Sequence, residues 1–380
     1  MKSMFFSKTQ MGNNGLRLDA SFHLSDGAST RRALARIPYR RIPIGQTLSR
    51  SFYGGRDKRV YVNSPDHGIP FLGGSTMLKA DLSGVKLISK KKTPNIENTI
   101  LDSGWILVSR SGTVGKCVFS CGIHKGFAAS EDVIRLVPNG IISPGVIYAF
   151  LASQYGFALM NQGMFGSVIQ HVEPEYIESL EIPVFPEELQ KKVHALITES
   201  AKLREEADAA RAKALKFFDN FTIQEQEKIF SKKLSRLQFS WAAYNNNLNV
   251  DVIKEKYSDQ KVSLDKLTDR IFAPPLFKHI YLSSDNGYPF LTGKEVTYQN
   301  QRYYRWLSPR GVRDINDYIV KKGTLLIYKS GTTDGGILGY VTIVDDNLDG
   351  ACLSDHVIRL NFKSFSDACW AYSFLKSKSG

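Results

Sequence analysis

Cysteine is scarce in this sequence. Its 380 residues include only four cysteines, which are too few to form a disulfide framework in a chain of this length. We therefore expect Cys117, Cys121, Cys352 and Cys369 to be buried free thiols in a protein of the reducing cytoplasm. The alternative, in which Cys117 and Cys121 are half of a zinc site, lacks a second matching pair.

Long apolar runs are also missing. No run approaches the ~20 residues that span a bilayer, so we expect no membrane-spanning helix and no membrane partner. The apolar stretch that begins at Met4 is too short for a signal peptide. Because hydrophobic residues still make up 42% of the chain and aromatic residues 11%, we expect a globular protein.

Motifs of familiar catalytic chemistry are absent. The segment 329–336 has the composition of a phosphate-binding loop, but not the required order of its lysine and hydroxyl residues. Ala-Pro-Pro-Leu at 273–276 lacks the flanking polar and aromatic residues of an amino-methyltransferase loop. We find no dinucleotide fingerprint, metal-binding histidine cluster or nucleophile elbow. We therefore expect no catalytic activity and no cofactor or metal in this chain.

Positive charge is in excess. The chain has 50 Lys and Arg against 37 Asp and Glu, which gives a formal net charge of +13 and attracts polyanions. The alternative is a basic surface that serves only solubility. The distribution favours nucleic acid, because basic residues crowd positions 31–59 and 294–310 with aromatic residues among them. Such stretches suit phosphate neutralisation together with contacts to base edges.

The sequence repeats itself in a preserved order. The repeat is far longer than the 20 to 50 residues of a solenoid unit, which indicates a tandem duplication of a whole domain. The matched segments are Gly-Ile-Pro-Phe-Leu at 68–72 with Gly-Tyr-Pro-Phe-Leu at 287–291, Ser-Gly-Thr at 111–113 with 330–332, and Ser-Glu-Asp-Val-Ile-Arg-Leu at 130–136 with Ser-Asp-His-Val-Ile-Arg-Leu at 354–360.

Each copy mixes strand and helix patterns. Short β-type runs occur at 60–62, 104–109 and 132–137, bounded by turn residues, and a helix is expected from Pro144 to about Met160. In both copies the Ser-Gly-Thr segment forms the tip of an expected hairpin. The tip is either a turn chosen for its backbone or a phosphate contact, and the sequence leaves both interpretations open. The mixture predicts an α+β fold.

A long helix is expected between the two copies. From Pro186 to about residue 219 there is no glycine and no further proline, and apolar positions alternate at steps of four and three. This heptad pattern is typical of a helix that packs on another helix, whereas a helix on its own domain's core shows a wider stripe. A second, less regular helical stretch is expected at 222–237. The partner-helix seam consists of Leu189, Val193, Leu196, Leu203, Ala207, Ala210, Ala214 and Phe217.

In these features the chain resembles the DNA-specificity (S) subunit of type I restriction–modification systems. The resemblance covers nearly the whole chain, and its strength lies in the order of the motifs. They are Arg-Leu-Asp-Ala at 17–20, Gly-Ile-Pro-Phe-Leu at 68–72, Ser-Gly-Thr-Val-Gly at 111–115, the strand at 130–136, Gly-Ser-Val-Ile-Gln at 166–170 and Ile-Pro-Val-Phe-Pro-Glu-Glu-Leu-Gln at 182–190.

The resemblance implies a non-catalytic adaptor that reads a bipartite DNA target. It implies two tandem-duplicated target-recognition domains joined by a long heptad-patterned spacer helix, with domains at 1–185, 186–237 and 238–380. The implied partners are double-stranded DNA, adenine-methyltransferase subunits that bind S-adenosylmethionine, and a restriction/translocase subunit. The candidate DNA-binding residues are Arg50, Arg56, Lys58, Arg59, Lys79, Arg110, Ser111, Thr113, Lys294, Arg302, Arg305, Lys329, Ser330 and Thr332.

Two departures from the family pattern stand out. Gly380 corresponds to Gly156, so the segments that follow Gly156 have no second copy, and we expect the full protein to continue with a second spacer helix. Ser-Trp-Ala-Ala at 240–243 replaces Arg-Leu-Asp-Ala at 17–20. Two other functions remain open, namely a protein-interaction scaffold with duplicated domains and a DNA-modifying enzyme with an unrecognised site.

Overall fold

The computed structural model describes residues 20–164, 170–218, 231–236, 246, 248–256, 258, 262–283, 286–302, 305–331 and 336–377. The chain divides into two compact units, Met1–Asp208 and Ala209–Gly380. Each unit mixes helices with β-sheets. In the parts of the chain that the structure describes, no helix combines the length and the apolar character needed to cross a membrane.

The first unit is built on two four-stranded sheets and a two-stranded one. Its strand orders are β2-β9-β6-β7, β3-β5-β4-β8 and β1-β10. The strands are β1 (Arg41–Pro43), β2 (Leu48–Phe52), β3 (Tyr61–Val62), β4 (Gly68–Leu72), β5 (Leu87–Ser89), β6 (Ile106–Ser109), β7 (Cys117–Phe119), β8 (Ala128–Ala129), β9 (Val133–Pro138) and β10 (Glu181–Pro183). The helices are α1 (Ala20–His23), α2 (Asp26–Leu34), α3 (Pro144–Ala152), α4 (Gln154–Gln162), α5 (Pro174–Ser179) and α6 (Glu187–Lys216).

The second unit has two four-stranded sheets. Their orders are β11-β18-β15-β16 and β12-β14-β13-β17. The strands are β11 (Thr268–Phe272), β12 (Tyr281–Leu282), β13 (Tyr288–Leu291), β14 (Arg305–Leu307), β15 (Leu325–Tyr328), β16 (Val341–Ile343), β17 (Cys352–Leu353) and β18 (Val357–Phe362). The helices are α7 (Leu248–Lys256), α8 (Leu264–Leu267), α9 (Gly293–Val296) and α10 (Phe365–Lys376).

Strands β2 to β9 of the first unit correspond one to one to β11 to β18 of the second, whereas β1 and β10 have no counterpart among the described residues. The repeated sequence segments fall on β4 and β13, on the β6–β7 and β15–β16 turns, and on β9 and β18. In each unit one pair, β4 with β8 or β13 with β17, is parallel, and the other pairs of the four-stranded sheets are antiparallel. The pairing of β2 with β9 shifts in register between Leu48 and Arg50. The pairing of β11 with β18 shifts at the equivalent place, between Thr268 and Arg270. Equivalent residues of the two units can therefore be compared directly.

The core of the first unit explains why three of the four residues of the inner strand β6 are apolar. All four residues of β6 are buried, since the strand is covered on both faces and needs no polar alternation. Ile106 and Val108 lie in one core cluster with Ile147 of α3 and Leu159 of α4. Burying one such side chain contributes roughly 1.5–3 kcal/mol, so this cluster fixes the helices against the sheet.

The single helix expected from Pro144 to Met160 is instead two helices, and this prediction was wrong. The helix is interrupted at Ser153, which separates α3 from α4. The backbone of Ser153 is extended, and its hydroxyl accepts a hydrogen bond from the Gly156 amide. A serine in this position caps a new helix, and the sequence offered only a weak signal for it. Gly156 fits because a Cβ there would lie 2.3 Å from the Phe150 carbonyl oxygen.

The long helix α6 presents two different faces. Its 30 residues span about 45 Å at 1.5 Å per residue. Val193, Ile197 and Ala201 pack against the core of the first unit. Most of the seam faces away from that core and is exposed, namely Leu189, Leu196, Leu203, Ala207, Ala210, Ala214 and Phe217. The expected helix at 222–237 lies outside the described residues except for 231–236, which contain a short 3-10 turn, Leu234–Arg236.

Candidate nucleic-acid interface

A basic–aromatic cluster lies on and beside the sheet β3-β5-β4-β8. The guanidinium of Arg59 lies 5.1 Å from the ring centroid of Phe71, and the ammonium of Lys86 lies 5.4 Å from that of Tyr61. Cations over aromatic faces are held in place without losing their charge. We name this group the first basic–aromatic cluster, which consists of Arg56, Arg59, Tyr61, Phe71, Lys86 and Glu131.

One carboxylate organises the arginines of this cluster. Glu131 accepts hydrogen bonds from Arg59 at 2.5 Å and from Arg56 at 3.3 Å. Burial alone would raise the pKa of Glu131, but backbone and arginine hydrogen bonds outweigh it and lower the pKa. Glu131 is therefore ionised at neutral pH and orients both guanidinium groups. Arg56 keeps most of its surface, with 88% of its side chain exposed.

Arg110 is more enclosed than the sequence suggested. Its guanidinium pairs with Glu173 at 2.5 Å and lies 4.3 Å from the Tyr53 ring centroid, and its side chain is only 16% exposed. Burial opposes the charged form, but the bond to Glu173 outweighs it and raises the pKa of Arg110. The backbone of Arg110 also bonds to Asp132 and Val172. Arg110 thus ties the β6–β7 hairpin to the segment that leads into α5.

The tip of this hairpin carries an acid beside its hydroxyl. Ser111 donates a hydrogen bond to the Asp132 carboxylate, and the Thr113 hydroxyl lies 2.7 Å from that of Ser109. Gly112 has a φ of +69°, a conformation that favours glycine in this turn. A carboxylate at this place repels a phosphate and can accept a hydrogen bond from the amino group of cytosine or adenine.

The second unit has a comparable group, richer in rings. His279 lies with its ring centroid 4.5 Å from Phe277 and 5.1 Å from Phe290, and Tyr281 lies 6.1 Å from Phe290. Arg305 pairs with Glu295 and lies 5.8 Å from the Phe290 centroid. We name this group the second basic–aromatic cluster, which consists of Phe277, His279, Tyr281, Phe290, Arg305 and Glu295.

The hairpin of the second unit differs in charge. His356 stands where the first unit has Asp132, and its Nδ1 lies 3.1 Å from the Ser330 hydroxyl. Asp355 replaces Glu131, with a carboxylate oxygen 3.9 Å from the same nitrogen. The Lys329 amide donates to the His356 carbonyl. The two hairpins therefore offer different polar groups beside their serines.

The other candidate DNA-binding residues are dispersed. Arg50 lies on β2, in the other sheet, with its guanidinium 3.7 Å from the Phe52 centroid. Lys58 and Lys294 are exposed, whereas Lys79 and Arg302 are half-buried. Thr332 lies outside the described residues.

No metal site is found among the described residues, in the sense of three or more His, Cys, Asp or Glu side chains grouped together. The four cysteines are free, three of them buried. Burial raises the pKa of Cys352 to about 12 and also raises that of Cys121. These thiols stay protonated at neutral pH and are poor metal ligands and nucleophiles.

Sequence reasoning missed the carboxylates of this surface. Glu131, Asp132 and Glu173 hold the cations and the hairpin hydroxyl in place. Glu131 could have been identified from the sequence, because the repeated segment has an acid at this position in both copies, Glu131 in the first and Asp355 in the second. Glu173 bonds to Arg110 across 63 positions, and no local pattern reveals that contact.

Comparison with known proteins gives a family for part of the chain. The model of the type I restriction modification DNA specificity domain matches residues 57–202. No curated protein matches the chain significantly.

Two solved structures are similar to the chain at low sequence identity. The type I restriction–modification S subunit from M. genitalium is 14% identical, with 90% of this chain and 78% of that chain covered and a TM-score of 0.31. The HsdS subunit from Thermoanaerobacter tengcongensis is 15% identical, with coverages of 90% and 79% and a TM-score of 0.32.

Proposed function

Because residues 57–202 belong to the type I restriction modification DNA specificity domain family, we propose that this chain is the sequence-specific DNA-binding subunit of such a system. The family match is the observation that carries the proposal. It spans the first basic–aromatic cluster except Arg56, the β6–β7 hairpin and half of α6. The chain would select the DNA, without catalysis of its own.

We infer that the target is bipartite, with one half for each copy of the recognition fold. The support is the equal strand order in both units and a basic–aromatic cluster on the corresponding sheet of each. In this account the domains are two tandem-duplicated target-recognition domains, at 1–185 and 238–380, and a spacer at 186–237. The spacer helix would set the distance between the half-sites.

DNA recognition would use two kinds of contact, one to phosphates and one to bases. Exposed cations such as Lys58 and Arg56 would neutralise phosphates, which sets affinity and its salt dependence. Side chains that carboxylates hold at a fixed angle would read bases, since bidentate contacts require orientation. Arg59 in the first unit and Arg305 in the second meet that condition, because each is paired with a glutamate.

We propose that the exposed seam of α6 takes part in assembly. Leu189, Leu196 and Leu203 form an apolar row that the core of the first unit leaves uncovered. Helical partners fit such a row at heptad spacing. The partners would be methyltransferase subunits that bind S-adenosylmethionine, with a restriction/translocase subunit added to the complex.

A selection experiment tests the proposed function. The chain, purified with its methyltransferase subunits, is incubated with a library of random duplexes, and bound DNA is sequenced. We expect one split sequence to be enriched far above background, with binding that weakens steeply as salt is raised. Equal recovery of all sequences would refute a specificity subunit and favour an interaction scaffold. Methyl transfer by the isolated chain would instead favour an enzyme.

A further inference from the structure

The second unit contains a cavity whose lining includes no residue of the second basic–aromatic cluster. It measures about 490 Å³ and lies beside β11 and β18. Cavities of this size hold small-molecule ligands. Buried Val320 and Thr324 line it together with Arg359, which is 1% exposed, whereas Lys321 and Phe365 at its edge are exposed. The cavity therefore has a buried, charged floor and an accessible rim.

The first unit explains why this space is open. Thr324 corresponds to Trp105, and Phe272 corresponds to Phe52. In the first unit the Trp105 ring lies edge-on to Phe52, with centroids 6.0 Å apart. In the second unit the smaller Thr324 side chain replaces the indole, and Thr324 and Phe272 both line the cavity. This substitution contributes part of the open space.

The charge of the residues at the cavity also differs between the two units. Lys321 stands where the first unit has Asp102, and Asn316 where it has Glu97, and both line the cavity. Lys321 has no carboxylate partner within ion-pair distance among the described residues, and the same holds for Arg359. Relative to the first unit, the lining of this cavity has a cation and an amide in place of two acids.

Two further cations complete the lining, and both are already paired. Arg270 bonds to Asp317 at 2.9 Å and Lys322 to Asp346 at 2.7 Å. Arg359 donates its terminal nitrogens to the carbonyls of Val357, Leu353 and Ser354, and its Nε has no partner in the described part of the chain. A net positive cavity suits an anion.

We propose that this cavity binds one nucleotide, with its phosphate at Lys321 near the buried charge of Arg359 and its base against the exposed ring of Phe365. The volume exceeds what inorganic phosphate alone would fill, and aromatic rings favour a planar base. Phe365 lies close above Gly323, where a Cβ would come within 3.3 Å of its ring. The nucleotide can be free in solution, or it can be a nucleotide turned out of a DNA duplex.

Calorimetric titration of the full-length chain with adenosine monophosphate tests the proposal. We expect Thr324→Trp, which places an indole beside Phe272 as Trp105 lies beside Phe52, to narrow the cavity and weaken binding by at least about tenfold. Lys321→Asp, which copies Asp102, should weaken it by about as much. Thr324→Val keeps the space open and should change affinity by less than about threefold. Circular dichroism confirms that each variant is folded.

Binding of DNA duplexes shows whether the nucleotide is free or part of DNA. A duplex with one unpaired adenosine should bind the wild type more tightly than the paired duplex and should compete with adenosine monophosphate if DNA supplies the ligand. Free nucleotide is the ligand if adenosine monophosphate binds and the two duplexes do not differ.

Two results would overturn the proposal. One is equal binding of adenosine monophosphate by the wild type and Thr324→Trp, and the other is binding of neither probe. Sequence selection from the random library, repeated with Thr324→Trp, separates this failure from that of the proposed function, since DNA specificity should survive the substitution.

Discussion

The hydroxyl of Ser111 donates a hydrogen bond to the carboxylate of Asp132 at the tip of the β6–β7 hairpin. In the corresponding hairpin of the second unit Ser330 meets His356 instead. The two hairpins join equivalent strands, and the charge that accompanies each serine differs. This difference would let one fold read two different DNA half-sites.

Asp132→Asn tests the role of that charge. The amide oxygen can still accept from Ser111, while one negative charge beside the DNA is lost, so affinity for a scrambled duplex should rise by about fivefold at low salt. Fluorescence anisotropy measures the change. Glu188→Gln removes the same charge from α6 and is the control. An equal gain in both variants would show that Asp132 is remote from the DNA.

Lys58 and Arg110 should behave differently although both are basic. Lys58 is exposed, and Lys58→Ala should weaken binding to all sequences alike and reduce the salt slope by about one. Arg110 is enclosed in an ion pair with Glu173, and Arg110→Ala should destabilise the protein by roughly 2 kcal/mol. Binding titrations at several salt concentrations and urea denaturation check the two outcomes. A reversed pattern would contradict the assignment.

His124 should make the chain sensitive to acid. Burial, helped by nearby Arg204, lowers the pKa of His124 to about 4, and its Nδ1 accepts from the Cys121 amide. Because the unfolded chain takes up this proton first, stability is full above about pH 6.5 and declines towards pH 4, by on the order of 3 kcal/mol.

The free energy of unfolding, measured against pH for the wild type and His124→Gln, isolates this effect. The variant should show a flatter decline between the two pH values. His67→Gln, at an exposed position, should follow the wild type. A profile for His124→Gln that parallels the wild type would disprove the assignment.

The two faces of α6 should respond differently to a charge. Leu203 is exposed, so Leu203→Asp should change the free energy of unfolding by less than about 0.5 kcal/mol while weakening methyltransferase binding. Ile197 packs on the core of the first unit, and Ile197→Asp should destabilise the fold by several kcal/mol. Thermal melts and a pull-down with the methyltransferase measure both. Unchanged methyltransferase binding by Leu203→Asp would exclude the seam.

Much of the fold could be predicted because repeated segments and hydrophobic periodicity can be read directly from the sequence, without knowing which residues meet in space. The expected β-type runs lie on β3, β6 and β9, and the long helix was expected close to its observed limits, Glu187–Lys216. The resemblance to type I specificity subunits is confirmed by the family match over residues 57–202. The interruption of the helix at Ser153 was not predicted, because it depends on a single serine hydroxyl that caps the second helix.

The candidate site was less predictable because it depends on long-range pairing. Basic residues could be named from the sequence, but not which of them carboxylates would hold. Arg59 meets Glu131 across 72 positions and Arg110 meets Glu173 across 63. Whether the named residues contact DNA stays a prediction. The cavity of the second unit was likewise not predictable, since its lining comes from segments spread over positions 270–365.

The central claim is that each unit reads its own half of one DNA target. Base preferences of the wild-type complex and of an Arg305→Ala variant, determined by the same random-library selection, test it most directly. The account predicts that the variant loses preference in one half of the split sequence and keeps the other half unchanged. Loss of preference in both halves, or in neither, would contradict it.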